Sequence, residues 1–288
     1  MSASHLQRVV VRMLYDSAFV AGIFADPAAA LHDVDLTAAE RSWLVQADPR
    51  AYAVDPFRRA RTLTALIEEF PVSVHTLGHD VAQPTLVEAF FSAPPFHACM
   101  QQRGSLAAAF GTYLGSADMQ RCTPGNIHPD LVHLEAAIAR LRRRRYRAAD
   151  TVAAVQEDGL ALASTVALLD APAGMLTYYQ TVLAALQRHP EGLVAAACQP
   201  AANPLPPRPT TRQWLLIVWH PASASATLEI LPDALGAVLA AVPASRATLL
   251  TQLGTLGAAR DEAEEILHDL LADGVLCAQD PVAGSTHD

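Results

Sequence analysis

A proline-dense segment, QPAANPLPPRPTT, occupies residues 199–211 of this 288-residue chain. Proline fixes φ and has no backbone N–H, so such a segment forms neither helix nor sheet and favours an extended, semi-rigid backbone. We therefore predict a linker over residues 199–211, with separately folded regions on either side of it.

Residues 1–71 carry the apolar spacing of helices. Val9 and Met13 lie four residues apart, as on one helix face. Thr37 and Glu40 have the spacing of a capping box at a helix start. These signals predict an N-terminal helical module over residues 1–71. The buried face of the helix that follows this capping box is predicted to begin at Trp43 and Leu44.

Residues 72–198 continue the helical pattern. Leu131, Leu134 and Leu141 recur on one side of a strongly periodic stretch, while residues 163–169 (ASTVALL) are predicted to be extended. We predict a central helical region over residues 72–198.

The composition changes after the linker. Residues 214–220 (WLLIVWH) and 227–231 (TLEIL) are rich in branched and aromatic side chains, which favour strands. Helical patterns follow over residues 233–241, 245–255 and 260–273. Residues 275–278 (VLCA) are a candidate for a last short strand. This order predicts a small α+β winged-helix domain over 212–280, followed by a disordered tail, 281–288. The predicted fold class is therefore mainly α, ending in this small domain.

Composition limits the class of protein. The net charge of −9 makes a general nucleic-acid binder unexpected. The apolar run at 160–169 is far shorter than the ~20 residues that span a bilayer, and residues 1–30 do not have the pattern of a signal peptide. The four scattered cysteines contain no C-x-x-C pair, which is typical of buried thiols in a reducing compartment. We expect a cytoplasmic protein that binds neither nucleic acid nor membrane.

Two histidine groups invite a metal hypothesis. His75 and His79 have the i, i+4 spacing of a ligand pair on a helix, although Gly78 makes a helix doubtful there and an ordinary loop is the simpler interpretation. His128 and His133, with Asp130 and Glu135, form a second polar group at the start of a helix, where Asp130 is more simply a charge partner of the helix N-terminus. No glycine-rich phosphate loop or nucleophile elbow accompanies them.

A basic run ends the central periodic helix. Its members are Arg140, Arg142, Arg143, Arg144, Arg145 and Arg147. Cations at a helix C-terminus interact favourably with the helix dipole, which is one explanation. Mutual repulsion among so many arginines favours the other, an acidic partner surface met by Arg142–Arg145.

The predicted winged-helix domain has two possible uses. DNA recognition requires a basic helix, whereas residues 260–273 carry six acidic side chains and would repel phosphate. Capture of an extended peptide on a strand edge remains. The predicted edge residues are Thr227, Leu228, Glu229, Ile230 and Leu231, and the predicted groove floor is Ile266, Leu267 and Leu270. The alternative is that these residues serve only as core.

Three stretches carry a family resemblance. They read LQRVVVRMLYDSAFVAGIFADPAAALHDVDLTAAERSWL, FFSAPPFHACMQQRGSLAAAFGTYL and PDLVHLEAAIARLRR. The first resembles a helical module at the start of some peptide-maturation proteins. The other two resemble partner subunits of TIM-barrel multinuclear iron oxygenases, which act in methanobactin and 3-thiaglutamate biosynthesis. The C-terminal region is similar to precursor-peptide recognition elements, although only two clear strands precede its helices where three are common.

The resemblance implies a non-catalytic subunit of the 3-thiaglutamate type. Such a subunit binds a ribosomally synthesised precursor peptide, here through residues 213–278, and presents its cysteine-containing C-terminal end to the oxygenase. Residues 72–198 would then be the region that docks the oxygenase. The resemblance implies that iron is held by the partner and that this chain holds no cofactor of its own. Two alternatives stay open: a stand-alone metal-dependent enzyme using the histidines, and a scaffold that binds only proteins.

Overall fold

A computed structural model describes most of the chain. The described residues are 2–53, 56–77, 87–102, 104–117, 119, 128–144, 159–199 and 210–278. Residues 200–209 of the predicted linker (199–211) lie outside these ranges, and so does the whole predicted tail (281–288). The described residues divide into two compact units, one drawn from 1–136 and 179–205, the other from 137–178 and 206–288.

The elements before residue 145 are helical. In chain order they are α1 (Ser2–Met13), α2 (Ser17–Ala25), α3 (Pro27–Ala30), α4 (Ala38–Gln46), α5 (Arg50–Ala53), α6 (Pro56–Glu69), α7 (Pro71–Thr76), a 3-10 helix (Ala89–Ser92), α8 (Pro94–Gln102), α9 (Leu106–Leu114) and α10 (Pro129–Arg144).

Within the described ranges, all strands come after residue 145. The remaining elements are β1 (Gly159–Leu162), β2 (Val166–Pro172), α11 (Met175–Gln187), α12 (Leu193–Ala197), β3 (Arg212–His220), β4 (Ser225–Leu231), α13 (Asp233–Ala240), β5 (Ala244–Ser245), α14 (Arg246–Thr255), α15 (Arg260–Ala272) and β6 (Leu276–Ala278). The prediction of a mainly α fold is confirmed, and so are the strands at 214–220, 227–231 and 275–278 and the three helices between them.

Local signals place the first helices. The Thr37 hydroxyl accepts the Glu40 N–H, and the Glu40 carboxylate accepts the Thr37 N–H at 2.8 Å, so the predicted capping box is present. Leu44 is fully buried as predicted, but Trp43 is 54% exposed and does not belong to the buried face. Adjacent helical residues point about 100° apart, so the two side chains could not both face the core squarely.

Phenylalanine rings fill the core of the first unit. Phe70, Phe90, Phe96 and Phe110 are each fully buried. The Phe90 ring lies 5.1 Å from that of Phe110 and 5.4 Å from that of Phe96, in edge-to-face geometry. This arrangement matches the quadrupoles of the rings, so the cluster gains more than apolar burial alone.

Two antiparallel three-stranded sheets belong to the second unit, with strand orders β2-β3-β4 and β5-β1-β6. The domain prediction assigned residues 137–178 to the central helical region, but β1 and β2 pair with strands that follow residue 211. Strand pairing between segments far apart in sequence leaves no local periodic signal, so the boundary at the linker misplaced these two strands.

Gly236 of α13 lies against Trp214 of β3. A Cβ atom at position 236 would overlap the indole ring, so only glycine allows the helix and strand to come this close. Within the ranges that the structure describes, no helix is long and apolar enough to cross a membrane.

Candidate functional site

The β4 strand lies at one edge of the sheet β2-β3-β4. It pairs with β3 over its whole length, from Leu231 opposite Trp214 to Ser225 opposite His220. No other described strand pairs with its outer edge. Backbone N–H and C=O groups along an unpaired edge can accept a further strand, which is the basis of β-augmentation.

The other edge strand is less accessible. Only Asp170 of β2 is exposed, and Pro172 at the strand end lacks an N–H donor. Arg212 donates from Nε to the Asp170 carboxylate at 2.9 Å, which joins this end of β2 to β3. By contrast, the exposed residues of β4 are Ser225, Thr227, Glu229 and Ile230. The residues of β4 are therefore more exposed than those of the other edge strand, β2.

Side chains alternate between the two faces of β4. Leu231 packs against the core of the second unit together with Leu216 of β3. On the opposite face Ile230 stands beside Leu215, and Leu228 beside Ile217. Ile230 is 53% exposed although its neighbour Leu215 is fully buried. An exposed branched aliphatic side chain on an unpaired edge is a contact point for an apolar residue of an added strand.

The predicted groove floor on α15 is divided between two environments. Leu267 is fully buried within the core cluster of the second unit. Ile266 and Leu270 are half-buried and pack against that same cluster. Leu267 thus serves as core, and Ile266 and Leu270 keep some exposed surface for a ligand.

The turn before β4 is held by polar contacts. His220 and Thr227 form a side-chain hydrogen bond of 2.7 Å between Nε2 and Oγ1. Ala224 adopts a φ of 51°, a left-handed conformation that non-glycine residues use in tight turns. These contacts fix the start of the strand whose edge is exposed.

The arginines lie at the end of α10. Arg142 and Arg143 are exposed, and Arg144 is the last residue of the helix. The Arg144 side chain and the whole of Arg145 and Arg147 lie outside the described part of the chain. The described arginines thus lie in the last turn of the helix, where the helix dipole stabilises positive charge. Binding of an acidic partner surface by Arg142–Arg145 stays a prediction.

The histidines are dispersed. His75 belongs to the short helix α7 and is half-buried, whereas His79 lies outside the described residues. His128 is buried with its Nδ1 3.5 Å from the Asp130 carboxylate, but His133 is exposed on α10. Among the described residues, no three His, Cys, Asp or Glu side chains group as metal ligands.

A buried carboxylate joins α10 to α7. Glu135 is fully buried, and its two oxygens accept the backbone N–H groups of Val72 and Ser73, each at 2.9 Å. Burial raises the pKa of Glu135 to about 7, against the opposing effect of hydrogen bonds from Ser73 and Val72. Burial, followed by the charge of Glu135, raises the pKa of Tyr179. The sequence places Glu135 in a polar group with His128 and His133 and does not predict its bonds to α7; the signal available for a buried role is an acid within an apolar helix face.

A second buried carboxylate organises the N-terminal helices. The Asp16 carboxylate accepts hydrogen bonds from the Phe19 N–H at 3.0 Å, Ser92 Oγ at 2.9 Å and Arg12 Nε at 3.4 Å, and lies 3.2 Å from His97 Nε2. Burial alone would raise its pKa, but the hydrogen bonds from His97, Phe19 and Ser92 and the charge of Arg12 lower the pKa to about 2. Asp16 is thus an ionised anchor and also the N-cap of α2.

Comparison with known proteins adds no assignment. No protein-family model matches the chain, and no curated protein sequence matches it.

Proposed function

We propose that this protein is a non-catalytic peptide-recognition subunit of a two-protein iron-oxygenase complex. It binds a ribosomally synthesised precursor peptide along β4 and presents the cysteine-containing C-terminal end to the partner's iron site. The observation that carries the proposal is the unpaired β4 edge with its exposed Ile230.

The sheet supports a precursor-recognition element. From sequence, only two strands preceded the three C-terminal helices. The structure adds β2, which pairs with β3 through all seven residues from Val166 to Pro172. A sheet of three antiparallel strands with α13, α14 and α15 after its last strand is what we expect of such a recognition domain, although α11 and α12 separate β2 from β3 in the chain.

The second sheet supports a winged-helix arrangement. The order is helix α13, short strand β5, helices α14 and α15, and then strand β6. Both β5 and β6 pair with β1, which stands between them. In a winged helix, two wing strands pair with each other and with a short strand that precedes the second helix. Here β5 corresponds to the short strand and β6 to one wing strand. The other wing strand would be β1, although it comes earlier in the chain.

Charge favours a peptide over nucleic acid as the ligand of this domain. Exposed acids on α15 include Asp261, Glu262, Glu264, Glu265 and Asp269. These side chains repel phosphate. A peptide strand gains affinity from main-chain hydrogen bonds and specificity from apolar contacts, and β4 offers both. Tethering then raises the effective concentration of the reacting end near the iron, to roughly the millimolar range.

The first experiment is to express this chain together with the iron oxygenase and precursor peptide encoded by neighbouring genes, and to purify any complex. The iron content of each separated subunit is then measured. A stable complex with iron confined to the oxygenase supports the proposal. Stoichiometric iron or zinc retained by this chain alone would favour the stand-alone metal enzyme. Binding of the oxygenase with no affinity for the peptide would favour a protein-only scaffold.

The strand edge has its own test. Ile230→Glu places a charge on the exposed edge and should weaken peptide binding at least tenfold in calorimetric titration. Leu256→Glu is the matched control, because Leu256 is 51% exposed in the same unit but lies at the end of α14. Equal peptide affinity of the two variants would show that the peptide does not bind along β4. It would leave binding of the oxygenase untested.

A further inference from the structure

A cavity of about 230 Å³ lies in the first unit. It shares no residue with the β4 edge. Drug-sized ligands occupy pockets of ~300–1,000 Å³, so this cavity suits a smaller molecule. Its walls come from α1, the start of α2, residues 33–35 and α8.

One wall is cationic. His5, Arg8 and Arg12 lie at i, i+3 and i+7 on α1 and so share one face of that helix. The Arg12 guanidinium is fixed, since it bonds Asp16 and its carbon lies 3.6 Å from the centroid of the Phe19 ring. The Asp16 carboxylate also contacts His97 on the opposite wall, with 3.2 Å between Oδ2 and Nε2.

Arg8 differs from Arg12. It is half-buried, and within the described part of the chain it has no hydrogen-bond or ion-pair partner. A partly desolvated guanidinium is stabilised by an anion, and a carboxylate fits its planar donors in a bidentate way. Arg8 is therefore the position at which the cavity would bind a carboxylate.

His5 adds a second unsatisfied group. Its Nδ1 is screened from solvent and has no hydrogen-bond partner among the described residues. The nearest charged oxygen, on Asp35, is 3.9 Å away, which is beyond hydrogen-bond reach. The wall beside Arg8 therefore contains a polar atom that the fold leaves unsatisfied.

The rim has the opposite charge. Asp33 and Asp35 line the mouth and are 82% and 93% exposed. Two carboxylates beside the entrance repel a multiply charged anion such as phosphate. They attract an ammonium group, so the cavity presents both signs of charge. The apolar side chains of Val9, Val34 and Met100 also line the cavity.

We propose that this cavity binds a single free amino acid with an apolar side chain. The α-carboxylate pairs with Arg8, the α-ammonium faces the Asp35 side of the mouth, and the side chain packs on Val9, Val34 and Met100. The site has its own ligand and works independently of peptide capture on β4.

The test begins with a thermal-shift screen of the protein amino acids at millimolar concentration against the full chain. Calorimetric titration of L-leucine then measures affinity in the wild type, Arg8→Met and Arg50→Met. Arg50 is an exposed arginine in the same unit, so its variant controls for the loss of one positive charge. We expect at least a tenfold loss of affinity in Arg8→Met and no loss in Arg50→Met.

Ligand analogues separate the two charged contacts. Isocaproate keeps the carboxylate of leucine without the ammonium, and isoamylamine keeps the ammonium without the carboxylate. Weaker binding of both than of leucine, together with weaker leucine binding in Asp35→Asn, supports an amino-acid site. Isocaproate binding as tightly as leucine would overturn the amino-acid assignment. No thermal shift with any amino acid, or unchanged affinity in Arg8→Met, would overturn it as well.

Discussion

Ile230 and Leu215 stand directly opposite each other on β4 and β3, yet Leu215 is fully buried and Ile230 is 53% exposed. Of these two paired aliphatic residues, Leu215 thus belongs to the core and Ile230 to the surface. The difference arises because β3 is central and β4 is an edge strand.

This pair predicts opposite effects of truncation. Leu215→Ala should lower the free energy of unfolding by about 2–5 kcal/mol, because it leaves a cavity in the core. Ile230→Ala should change it by only about 0.5 kcal/mol or less. Urea unfolding of both variants measures the difference, and a large loss in Ile230→Ala would show that this side chain belongs to the core and not to a binding edge.

Gly236→Ala should destabilise the second unit. Its methyl group would overlap the Trp214 ring, and such overpacking costs about 1–3 kcal/mol. Gly254 is the matched control, because a Cβ there meets no atom within 4 Å. Gly254→Ala should therefore leave stability unchanged or raise it by about 0.5–1 kcal/mol through helix propensity. Thermal unfolding that gives both variants the same shift would contradict the close approach of α13 and β3.

Asp16→Asn should destabilise the first unit by about 2 kcal/mol, since it removes charge-assisted bonds to Arg12 and His97. The folded-state pKa of Asp16 is about 2, below its ordinary value of 3.8. The wild type should therefore lose stability as pH falls from about 4 toward 2, and the variant should lose less. Asp35→Asn, at a 93% exposed carboxylate, is the control and should behave as the wild type in acid denaturation.

Glu135 should give the opposite pH dependence. Its folded-state pKa of about 7 lies above the ordinary 4.5, so the folded protein binds the extra proton between those values. Its contribution to stability therefore falls as pH rises from about 4.5 to 7, by roughly 3 kcal/mol at most. Glu135→Gln should flatten the stability profile over this window, measured by urea unfolding at several pH values. The exposed Glu68→Gln variant should retain the wild-type slope, and a retained slope in Glu135→Gln would assign the titration to another group.

Local signals in the sequence were sufficient for the helices that have a capping box or a clear apolar period, but not for α7, where a loop was the simpler interpretation. The Thr37–Glu40 capping box and the apolar spacing of α10 depend on residues within one or two turns of each other. The strands β3 and β4 likewise have compositions that favour an extended backbone. Their predicted positions were confirmed for this reason.

The candidate sites depended on longer distances. Asp16 meets Ser92 and His97, some 76 and 81 residues away, and Glu135 meets Val72 and Ser73 across 63 and 62 residues. A single sequence carries no periodic signal for such contacts. The cavity near Arg8 depends on the same packing, so its residues could not be selected as a group beforehand.

The sequence by itself determined the mainly helical character, the C-terminal order of two strands and three helices, and the acidic surface of α15, because each depends on side chains close together in the chain. The tertiary structure decided that β1 and β2 join the C-terminal sheets and that β4, not β2, has the exposed edge. It also decided which carboxylates are buried. Strand pairing and burial are set by contacts between distant segments, whose free energy depends on the whole packed fold and not on any local stretch.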